Sequence, residues 1–401
     1  MSVLRGKKIL LGISGGIAAY KTPLIVRLLK SSGAEVKVVM TPSAKDFVTP
    51  LTLSTLSNEP VHSSFTEELY DNPVWIDHVA LGKWADLMLI APATSNTLSA
   101  LVHAKCDNLL IATYLSCTCP VYIAPAMDLD MYAHSATQEN IKNLKNIGKK
   151  VLPVGEGFLA SGLNGKGRML EPEEIIEYLI DDLRAGLPLY GKKVLITAGP
   201  TYEPIDPVRF IGNHSSGKMG FALAEEARAL GAHVILVSGP TTLLSSPEIE
   251  RYNVSTAAEM FTLVMAHYPG ADIAIAAAAV ADFKPREVGT QKIKKESALP
   301  SIELEPTHDI LAQMGKLKQK HYLVGFALET EDEKNNALKK LKSKNLDAIV
   351  LNSLNDVGAG FSGDSNKVTY IDKNKNIFSF ELKPKSKIAK DIFSQILNHH
   401  A

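Results

Sequence analysis

The sequence predicts an α/β protein with two doubly wound, mostly parallel sheets, because the same strand-and-helix pattern begins twice along the chain. Residues 6–13 form an apolar run typical of a buried strand, and residues 191–198 repeat that run near the midpoint. Each run leads to a helical stretch and then to a second strand that starts with Gly-Ala, over 33–40 and over 231–238. A strand, a helix and a second strand in this order form a β–α–β unit, and two such units imply two parallel sheets.

The remaining elements follow from apolar runs and amphipathic stretches along the chain. The first helix is expected to run through Leu29, and an amphipathic helix over 171–184 closes the first domain. Residues 185–190 are interpreted as the link, so the sequence predicts domains over 1–185 and 190–401. The other expected elements are a helix near 219–230, an exposed loop over 284–300, and strands over 86–91, 120–124, 271–279, 322–327 and 347–351.

Length, charge and cysteine content restrict the class of protein. At 401 residues the chain is long enough for two hydrophobic cores, because single cores stop growing at about 250–300 residues. Lys and Arg together number 43, as do Asp and Glu, which argues against a general nucleic-acid or membrane-surface binder. The three cysteines form neither an even disulfide set nor a CxxC metal spacing, which favours a reducing compartment. No run approaches about 20 apolar residues and no targeting segment is visible, so we expect a cytoplasmic protein.

Small and polar residues follow the predicted strands of the first domain, where ligands of doubly wound sheets bind. Residues 12–21 form a glycine- and serine-rich turn. Its small residues either let backbone N–H groups approach a phosphate or serve only to form a tight turn that binds no ligand. Two further strands run into the polar, proline-containing turns 91–97 and 124–132. A bound ring and its substrate fit there, but so does a plainer interpretation in which Asn96 caps a helix and Met127 fills the core.

Five segments together resemble the flavoprotein family of cysteine decarboxylases, and the resemblance covers nearly all of residues 5–180. It implies a flavodoxin-like flavoprotein domain with FMN as cofactor and His78 as the active-site base. It also implies that Met127 and Asp128 belong to a segment that clamps the substrate carboxylate. The segments are SGGIAAYK (14–21), TPSA (41–44), WIDH (75–78), PATSNT (92–97) and PAMDLDMY (125–132). The implied FMN-binding residues are Ser14, Gly15, Gly16, Ser43, Thr94, Ser95, Asn96 and Thr97.

Two residues depart from the pattern of that family. Asp128 stands where the family has Asn, and an ionised carboxylate repels a substrate carboxylate unless it is protonated or otherwise paired. Ser161 stands where the family has the cysteine that returns a proton to the product, and a hydroxyl is a much weaker acid than a thiol. The implied chemistry is an internal redox reaction, in which the flavin takes electrons from the substrate cysteine, CO₂ leaves, and the electrons return with a proton.

In the second domain, a long loop over 199–220 joins the first strand to the next helix. Proline stiffens its first half, and its Ser- and Gly-rich second half ends at a helix start, which suits anions. Residues 276–282 place small side chains at a strand end, with room for a base or ribose, and 291–295 supply three lysines. Each feature has a plainer interpretation, such as a helix cap at Asn213 or a solvated charged loop. All of them are nevertheless expected at strand ends of one sheet, which favours a shared binding site.

This half resembles the phosphopantothenate–cysteine ligase family over most of 190–395, with DPVRFIGNHSSGKMG (206–220) as the hallmark loop. The resemblance implies a Rossmann-like ligase domain in which CTP and Mg²⁺ activate a carboxylate as an acyl cytidylate, which cysteine then attacks. Asn213 would handle that intermediate, Lys292 would act on the CTP phosphates, and Arg209 would contact substrate, also across a dimer. The other implied CTP- or substrate-binding residues are Ala276, Ala277, Ala278, Asp282, His308 (a proline in the family), Asp309, Ile310, Leu311, Phe326, Lys340 and Lys344.

The two halves together resemble the bifunctional phosphopantothenoylcysteine decarboxylase/phosphopantothenate–cysteine ligase family of coenzyme A biosynthesis. The implied substrates are 4′-phosphopantothenate, cysteine and CTP, and the implied assembly is a homo-oligomer with dimeric ligase domains and trimeric flavoprotein domains. A nicotinamide oxidoreductase is disfavoured, because neither first turn carries GxGxxG. In a second alternative the flavin domain is regulatory or impaired in decarboxylation. Asp128 and Ser161 favour that alternative, and the complete ligase half disfavours it.

Overall fold

The computed structural model describes residues 3–69, 72–294, 301–329, 331–353 and 363–400. Contacts between Cα atoms divide the chain into two units, Met1–Arg184 and Ala185–Ala401. Each unit is an α/β sandwich built around one main sheet, as the repeated β–α–β pattern predicts.

The first unit has one six-stranded parallel sheet and two small antiparallel hairpins. Its strands are β1 Lys8–Ile13, β2 Glu35–Met40, β3 Val61–His62, β4 Thr66–Leu69, β5 Asn72–Trp75, β6 Leu87–Ala93, β7 Val121–Pro125, β8 Lys150–Val151, β9 Gly155–Phe158 and β10 Asn164–Arg168. Its helices are α1 Thr22–Ser31, α2 Pro50–Ser57, α3 His78–Trp84, α4 Ser95–His103, α5 Leu109–Ser116, α6 Leu129–Ala133, α7 Ser135–Asn146 and α8 Pro172–Ala185, with 3₁₀ turns at Ile17–Lys21 and Pro42–Asp46.

The main sheet of the first unit has the strand order β3-β2-β1-β6-β7-β8, and all five of its pairings are parallel. The winding direction therefore reverses between β1 and β6. Side chains alternate across the sheet: Ile9 and Leu11 pack with α1 and α8 on one face, while Leu10 packs with α4 and α5 on the other. Helices thus cover both faces, which is why every residue of β6 and β7 is buried.

The second unit has an eight-stranded main sheet and two small hairpins. Its strands are β11 Lys193–Ala198, β12 Tyr202–Pro204, β13 Phe210–Gly212, β14 His233–Ser238, β15 Glu250–Asn253, β16 Ile273–Ala276, β17 Phe283–Pro285, β18 Leu304–Pro306, β19 Tyr322–Glu329, β20 Ala348–Ser353, β21 Ser365–Asp372 and β22 Ile377–Pro384. Its helices are α9 Lys218–Ala229, α10 Ala257–His267, α11 Ile310–Leu317, α12 Glu333–Ser343 and α13 Lys385–His400, with a 3₁₀ turn at Tyr268–Gly270.

The second main sheet repeats the order of the first, as β15-β14-β11-β16-β19-β20, and then adds β21 and β22 as an antiparallel edge. Val194 and Ile196 pack with α9 and α13 on one face, and Leu195 packs with α10, α11 and α12 on the other. The winding reverses between β11 and β16. Ligands of doubly wound sheets bind beyond the carboxyl ends of the strands at this kind of reversal.

Two segments differ from the sequence-based expectation. The strand expected over 271–279 pairs only over Ile273–Ala276, because the chain then leaves the sheet to form a bridge between Ala279 and Pro200. The loop expected over 284–300 starts inside β17, which pairs with β18, and its residues 295–300, with Lys295, lie outside the described residues.

Candidate functional site

A cavity of about 480 Å³ lies in the first unit, where β1, β6 and β7 end. Apolar side chains form much of its wall, and the polar groups come from the turns after these strands and from the β9–β10 hairpin. The cavity is lined by Gly16, Ile17, Ala18, Tyr20, Lys21, Pro92, Thr94, Ser95, Ala126, Met127, Asp128, Met131, Phe158, Leu159, Ala160, Ser161, Gly167, Arg168 and Met169. Three of the five segments that carried the sequence resemblance therefore line one cavity, whereas TPSA only packs against the first turn through Ser43, and WIDH does not line the cavity.

The turns after β1 and β6 are held together by Ser14. Its buried hydroxyl donates to the carbonyl oxygen of Pro92 at 2.7 Å, and the backbone N–H of Thr94 donates to the same hydroxyl at 3.1 Å. Thr94, rather than Asn96, caps α4, because its hydroxyl accepts from the backbone N–H of Thr97. Asn96 is exposed and Thr97 is buried, and neither lines the cavity.

Gly15 has no room for a side chain. A Cβ atom there would lie 2.8 Å from Ser43 Cβ and 2.9 Å from the Ser43 carbonyl carbon. A Cβ atom at Gly16 would meet only the methyl group of Thr94, at 3.3 Å. Gly15 therefore packs against Ser43 and, like Ser14 and Ser43, does not line the cavity, whereas Gly16 does.

The clamp segment and the β9–β10 hairpin are built against each other. Asp128 caps α6, and its Oδ1 accepts hydrogen bonds from the Leu129 backbone N–H at 2.7 Å and from the Ser161 hydroxyl at 3.0 Å. The Met127 N–H donates to the Gly167 carbonyl oxygen at 3.0 Å, and a Cβ atom at Gly167 would overlap Met127. The two residues that depart from the family pattern are therefore partners in one hydrogen bond.

His78 does not line this cavity. It is the first residue of α3, and its ring packs edge-on against Phe65 and Trp75 at centroid distances of 6.2 and 6.4 Å. Its Nδ1 is buried and has no hydrogen-bond partner among the described residues. Large apolar side chains nearby are exposed, including Trp75 at 61% and Val79 at 39%.

Lys21 is a cavity residue to which the sequence analysis assigned no role, although it ends the SGGIAAYK motif. It is 5% exposed, and its ammonium donates to the Met169 carbonyl oxygen at 3.0 Å and to Glu171 at 2.9 Å. Arg168 also donates to Glu171, at 2.7 Å. The hydrogen bond from Lys21 is the largest influence that lowers the pKa of Glu171, so this carboxylate stays ionised between two cations. The signal in the sequence was a lysine at the end of a small-residue turn.

A second cavity, of about 390 Å³, lies in the second unit at the ends of β11, β16, β19 and β20. It combines the hallmark loop, the alanine run and the ends of three helices. It is lined by Asn213, Ser215, Ser216, Gly217, Lys218, Met219, Gly220, Ala277, Ala278, Ala279, Val280, Asp282, Phe326, Ala327, Leu328, Lys340, Asn352, Asn366 and Lys385.

Asn213 joins two of these segments. Its side-chain amide donates to the Val280 carbonyl oxygen at 2.9 Å and to the Ala279 carbonyl oxygen at 3.3 Å. Asn213 also lines the cavity, and its amide oxygen can accept a hydrogen bond from a ligand.

Arg209 and the lysine-bearing loop are anchored by Asp206, which sequence reasoning missed. The buried Asp206 carboxylate pairs with the Arg209 guanidinium at 2.7 Å and accepts from the Ile293 backbone N–H at 3.2 Å. Burial by itself raises the pKa of Asp206, but the N–H groups of Val208, Arg209 and Ile293 outweigh it and lower that pKa to about 2. Lys292, next to Ile293, is exposed and does not line the cavity.

The other residues expected to bind nucleotide fall into two groups. Asp282, Phe326 and Lys340 line the cavity with Ala277 and Ala278, whereas Ala276 does not line it. Asp309 caps α11 and pairs with Lys344 at 2.8 Å, so these two residues tie α11 to α12.

Three residues of the nucleotide-binding stretch have other surroundings than expected. The side chains of Ile310 and Leu311 are buried in the core, which leaves only their backbone for a ligand. The ring of His308 lies 4.8 Å from that of Phe261.

Lys218 and Lys385, which the sequence analysis did not single out, line the cavity from α9 and α13.

Two kinds of site are absent from the described residues. No group of three or more His, Cys, Asp or Glu side chains in that part of the chain is arranged to hold a metal ion. None of its helices has the length and apolar character of a membrane span.

Comparison with known proteins identifies both halves. The family model described as "Flavoprotein" matches residues 2–184, and that of the "DNA/pantothenate metabolism flavoprotein C-terminal domain" matches residues 189–399. A cysteine/cysteine sulfinic acid decarboxylase from an unknown prokaryotic organism is 53% identical over 356 residues, which cover 87% of this chain and 99% of that protein.

The coenzyme A biosynthesis bifunctional protein CoaBC of Bacillus subtilis (strain 168) is 44% identical over 399 residues, which cover 98% of this chain and 97% of that protein. A crystal structure of the C-terminal domain of a protein with the same name is 42% identical, with a TM-score of 0.47, and the match covers 53% of this chain and 98% of that one. The family models and the full-length identity show that this chain belongs to the family of coenzyme A biosynthesis bifunctional proteins, which combine a flavoprotein decarboxylase domain with a ligase domain.

Proposed function

We propose that this chain makes 4′-phosphopantetheine in two steps: CTP-dependent ligation of cysteine to 4′-phosphopantothenate, then FMN-dependent decarboxylation of the conjugate. The observation that carries the proposal is the repeated topology. Each main sheet has a cavity at its winding reversal, and each cavity is bordered by the motif of a different reaction. Two reactions that share an intermediate explain why one chain carries both cavities.

The first cavity fits FMN. Gly16, Ile17 and Ala18 bring the first turn to the cavity wall, and Ile17, Met127 and Met169 supply apolar wall for a flat ring. When bound, FMN supplies the electron acceptor and donor for the substrate cysteine. The residues that would hold it are Ser14, Gly15, Gly16, Ser43, Thr94, Ser95, Asn96 and Thr97, the last two through the first turn of α4.

Proton transfer at this site falls to Ser161 and His78. Ser161 lines the cavity beside Asp128, where its hydroxyl can return a proton to the product. His78 lies outside the cavity of its own chain, among exposed apolar side chains, so we place it in the site of a neighbouring copy. That arrangement requires the homo-oligomer expected from the sequence.

In the ligase half, Asn213 would hold the acyl cytidylate and Lys292 would neutralise charge on the CTP phosphates. The Asp206 anchor keeps the loop that carries Lys292 close to Arg209. Mg²⁺ prefers oxygen ligands and keeps several waters, so we place it on the CTP phosphates.

Product analysis tests the proposal. The full chain is incubated with 4′-phosphopantothenate, cysteine, CTP, Mg²⁺ and FMN, and the products are identified by mass spectrometry. We expect pyrophosphate, CMP and 4′-phosphopantetheine. Accumulation of the cysteine conjugate alone would support the regulatory or impaired flavin domain, and absence of the conjugate would overturn the ligase assignment.

A second candidate reaction is the decarboxylation of free cysteine, which one observation favours. The Asp128 carboxylate lines the first cavity, and its hydrogen bonds within the described chain come only from Leu129 and Ser161. The nitrogen of free cysteine is an ammonium group, which a carboxylate attracts, whereas that of the conjugate is a neutral amide. A relative named cysteine/cysteine sulfinic acid decarboxylase supports this candidate.

The two decarboxylation substrates are distinguished by Asp128→Asn. If free cysteine is the substrate, the chain produces cysteamine without CTP, and Asp128→Asn reduces that rate about 10-fold or more by removing the partner of the ammonium. If the conjugate is the substrate, Asp128→Asn leaves its rate unchanged or raises it, because a negative charge beside the substrate carboxylate is gone.

A further inference from the structure

One side of the second cavity, which we call the ligase cavity, carries a buried cation. None of the roles proposed above uses it. Lys385, the first residue of α13, lines the cavity and is only 8% exposed. Its ammonium donates to the Gly363 carbonyl oxygen at 2.7 Å. Among the described residues, no carboxylate oxygen lies within ion-pairing distance of that ammonium. An ammonium has three N–H donors, so two of them remain available to a ligand.

Lys218, the first residue of α9, lines the same side of the cavity. It pairs with Asp364 at 2.7 Å, but the Asp364 side chain is 89% exposed, and it does not line the cavity. Burial, together with the charge of Lys218, lowers the pKa of Lys385, and Asp364 opposes that effect only in part. A buried charge that is only partly neutralised destabilises a protein, so an anionic ligand at this position removes a penalty.

The backbone adds to the positive potential. Helices α9 and α13 pack against each other, both begin at this side of the cavity, and neither has an acidic residue in its first turn. The N-terminus of a helix carries a partial positive charge and free N–H groups. Asn352 and the buried Asn366, joined by a hydrogen bond of 3.2 Å, complete the polar wall.

This side of the cavity lies opposite Lys340, although Ala277 and Phe326, which are also assigned to CTP, pack on the same face of the sheet as α9 and α13. Helices α9 and α13 cover one face of the sheet, and α11 and α12, the latter carrying Lys340, cover the other. The cavity extends over the sheet edge between the two faces. It therefore offers two positions for anionic groups.

We propose that Lys385 and Lys218 form a phosphate-binding subsite of the ligase cavity. The inference rests on the proposed ligase function, in which two ligands carry phosphate: the phosphomonoester of 4′-phosphopantothenate and the triphosphate of CTP. Either phosphate provides the anionic oxygens that two ammonium groups and two helix N-termini bind.

Calorimetric titration of the full-length chain tests the subsite, with 4′-phosphopantothenate, pantothenate, CTP and cytidine as ligands. We compare the parent with Lys385→Gln, and use Lys387→Gln, an exposed position on the same helix, as the matched control. Loss of one charged hydrogen-bond partner is expected to weaken binding of the phosphate-bearing ligand about 10- to 100-fold. The control should bind all four ligands as the parent does.

The ligand pairs identify the source of the phosphate. If the subsite holds the acid substrate, Lys385→Gln weakens 4′-phosphopantothenate and leaves pantothenate unchanged. If it holds the nucleotide, the variant weakens CTP and leaves cytidine unchanged. Equal losses for ligands with and without phosphate, or no loss for any of them, overturn the proposal. If Lys385→Gln fails to fold, Lys218→Gln takes its place, with a loss of several-fold expected for the same ligand.

CTP-dependent pyrophosphate release by the parent distinguishes a failure of the subsite from a failure of the proposed ligase function. If the parent releases pyrophosphate and both lysine variants bind all four ligands as the parent does, the subsite is wrong and the ligase function stands. A selective loss of phosphate-bearing ligands without pyrophosphate release in the parent supports the subsite and defeats the proposed ligase chemistry.

Discussion

The Ser161 hydroxyl donates a hydrogen bond of 3.0 Å to the Asp128 carboxylate, although the two residues lie 33 positions apart in the sequence. A hydroxyl has one hydrogen, so in this arrangement the proton of Ser161 points to Asp128 and its lone pairs face elsewhere. Ser161 can protonate a product only after it rotates or is resupplied through Asp128. The two departures from the family pattern therefore act as one unit.

Ser161→Cys should accelerate formation of the reduced product or leave it unchanged, because a thiol is a stronger acid than a hydroxyl. A neighbouring carboxylate raises the pKa of a thiol, so the gain should be larger in the double variant with Asp128→Asn, up to about 10²-fold. Quenched-flow mass spectrometry with the cysteine conjugate as substrate measures the rate. A large loss of product in both backgrounds would mean that the site is built around the hydroxyl.

Gly15→Ala should abolish the yellow colour of the purified chain or weaken FMN binding about 10-fold or more, since a Cβ atom there meets the backbone of Ser43. Gly270→Ala is the control, because a Cβ atom there meets no atom within 4 Å and the residue lies in the second unit. Absorbance titration with FMN compares the variants. Equal affinities would place the flavin away from this turn.

His78→Asn should keep FMN and lose decarboxylation, whereas Gly15→Ala should lose FMN and keep His78. If the sites form between copies of the chain, co-expression of the two variants restores activity. Some sites then combine the intact flavin turn of the His78→Asn chain with the intact His78 of the Gly15→Ala chain. Each variant purified alone serves as the control. No recovery in the mixture would place His78 in the site of its own chain, and full activity of His78→Asn would remove its assigned role.

Asp206→Asn should lower the unfolding temperature of the full chain by a few degrees at pH 7, because Arg209 and the Ile293 N–H lose a charged partner. The pKa of Asp206 is about 2, below the roughly 3.9 of an unfolded Asp. Its contribution is therefore complete above about pH 4 and is lost as the pH falls toward 2. Thermal unfolding from pH 8 to 3 should show a constant difference from the parent that shrinks only below pH 4. A difference that shrinks near pH 6 would contradict this assignment.

Lys292→Gln and Asn213→Asp should block different steps of ligation. Lys292→Gln removes a charge needed as the acyl phosphate bond forms, and we expect pyrophosphate release to fall about 10²- to 10³-fold. Asn213→Asp should still release pyrophosphate but accumulate 4′-phosphopantothenoyl-cytidylate, because negative charge is placed beside an anionic intermediate. Mass spectrometry of quenched reactions distinguishes them. Normal product from both variants, or equal use of ATP by the parent, would contradict the assignment.

The repeated doubly wound architecture and the segments that border each cavity could be predicted from the amino-acid sequence. Both follow from local patterns. A fully apolar strand followed by a small-residue turn needs a parallel sheet covered on both faces, and the carboxyl ends of such strands meet at one edge. Segments such as 14–21 and 92–97 could therefore be placed together before any contact was known, and the structure joins them through Ser14 and Thr94.

The tertiary structure alone decided which distant side chains meet. Asp206 holds the backbone of Ile293, which lies 87 residues away, and Ser161 reaches Asp128 through a hairpin whose docking depends on Gly167. Lys385 enters the ligase cavity because the antiparallel edge strands β21 and β22 return the chain to the start of α9. Such contacts depend on the lengths of loops and on how whole helices pack, and no period or motif in the sequence encodes them separately.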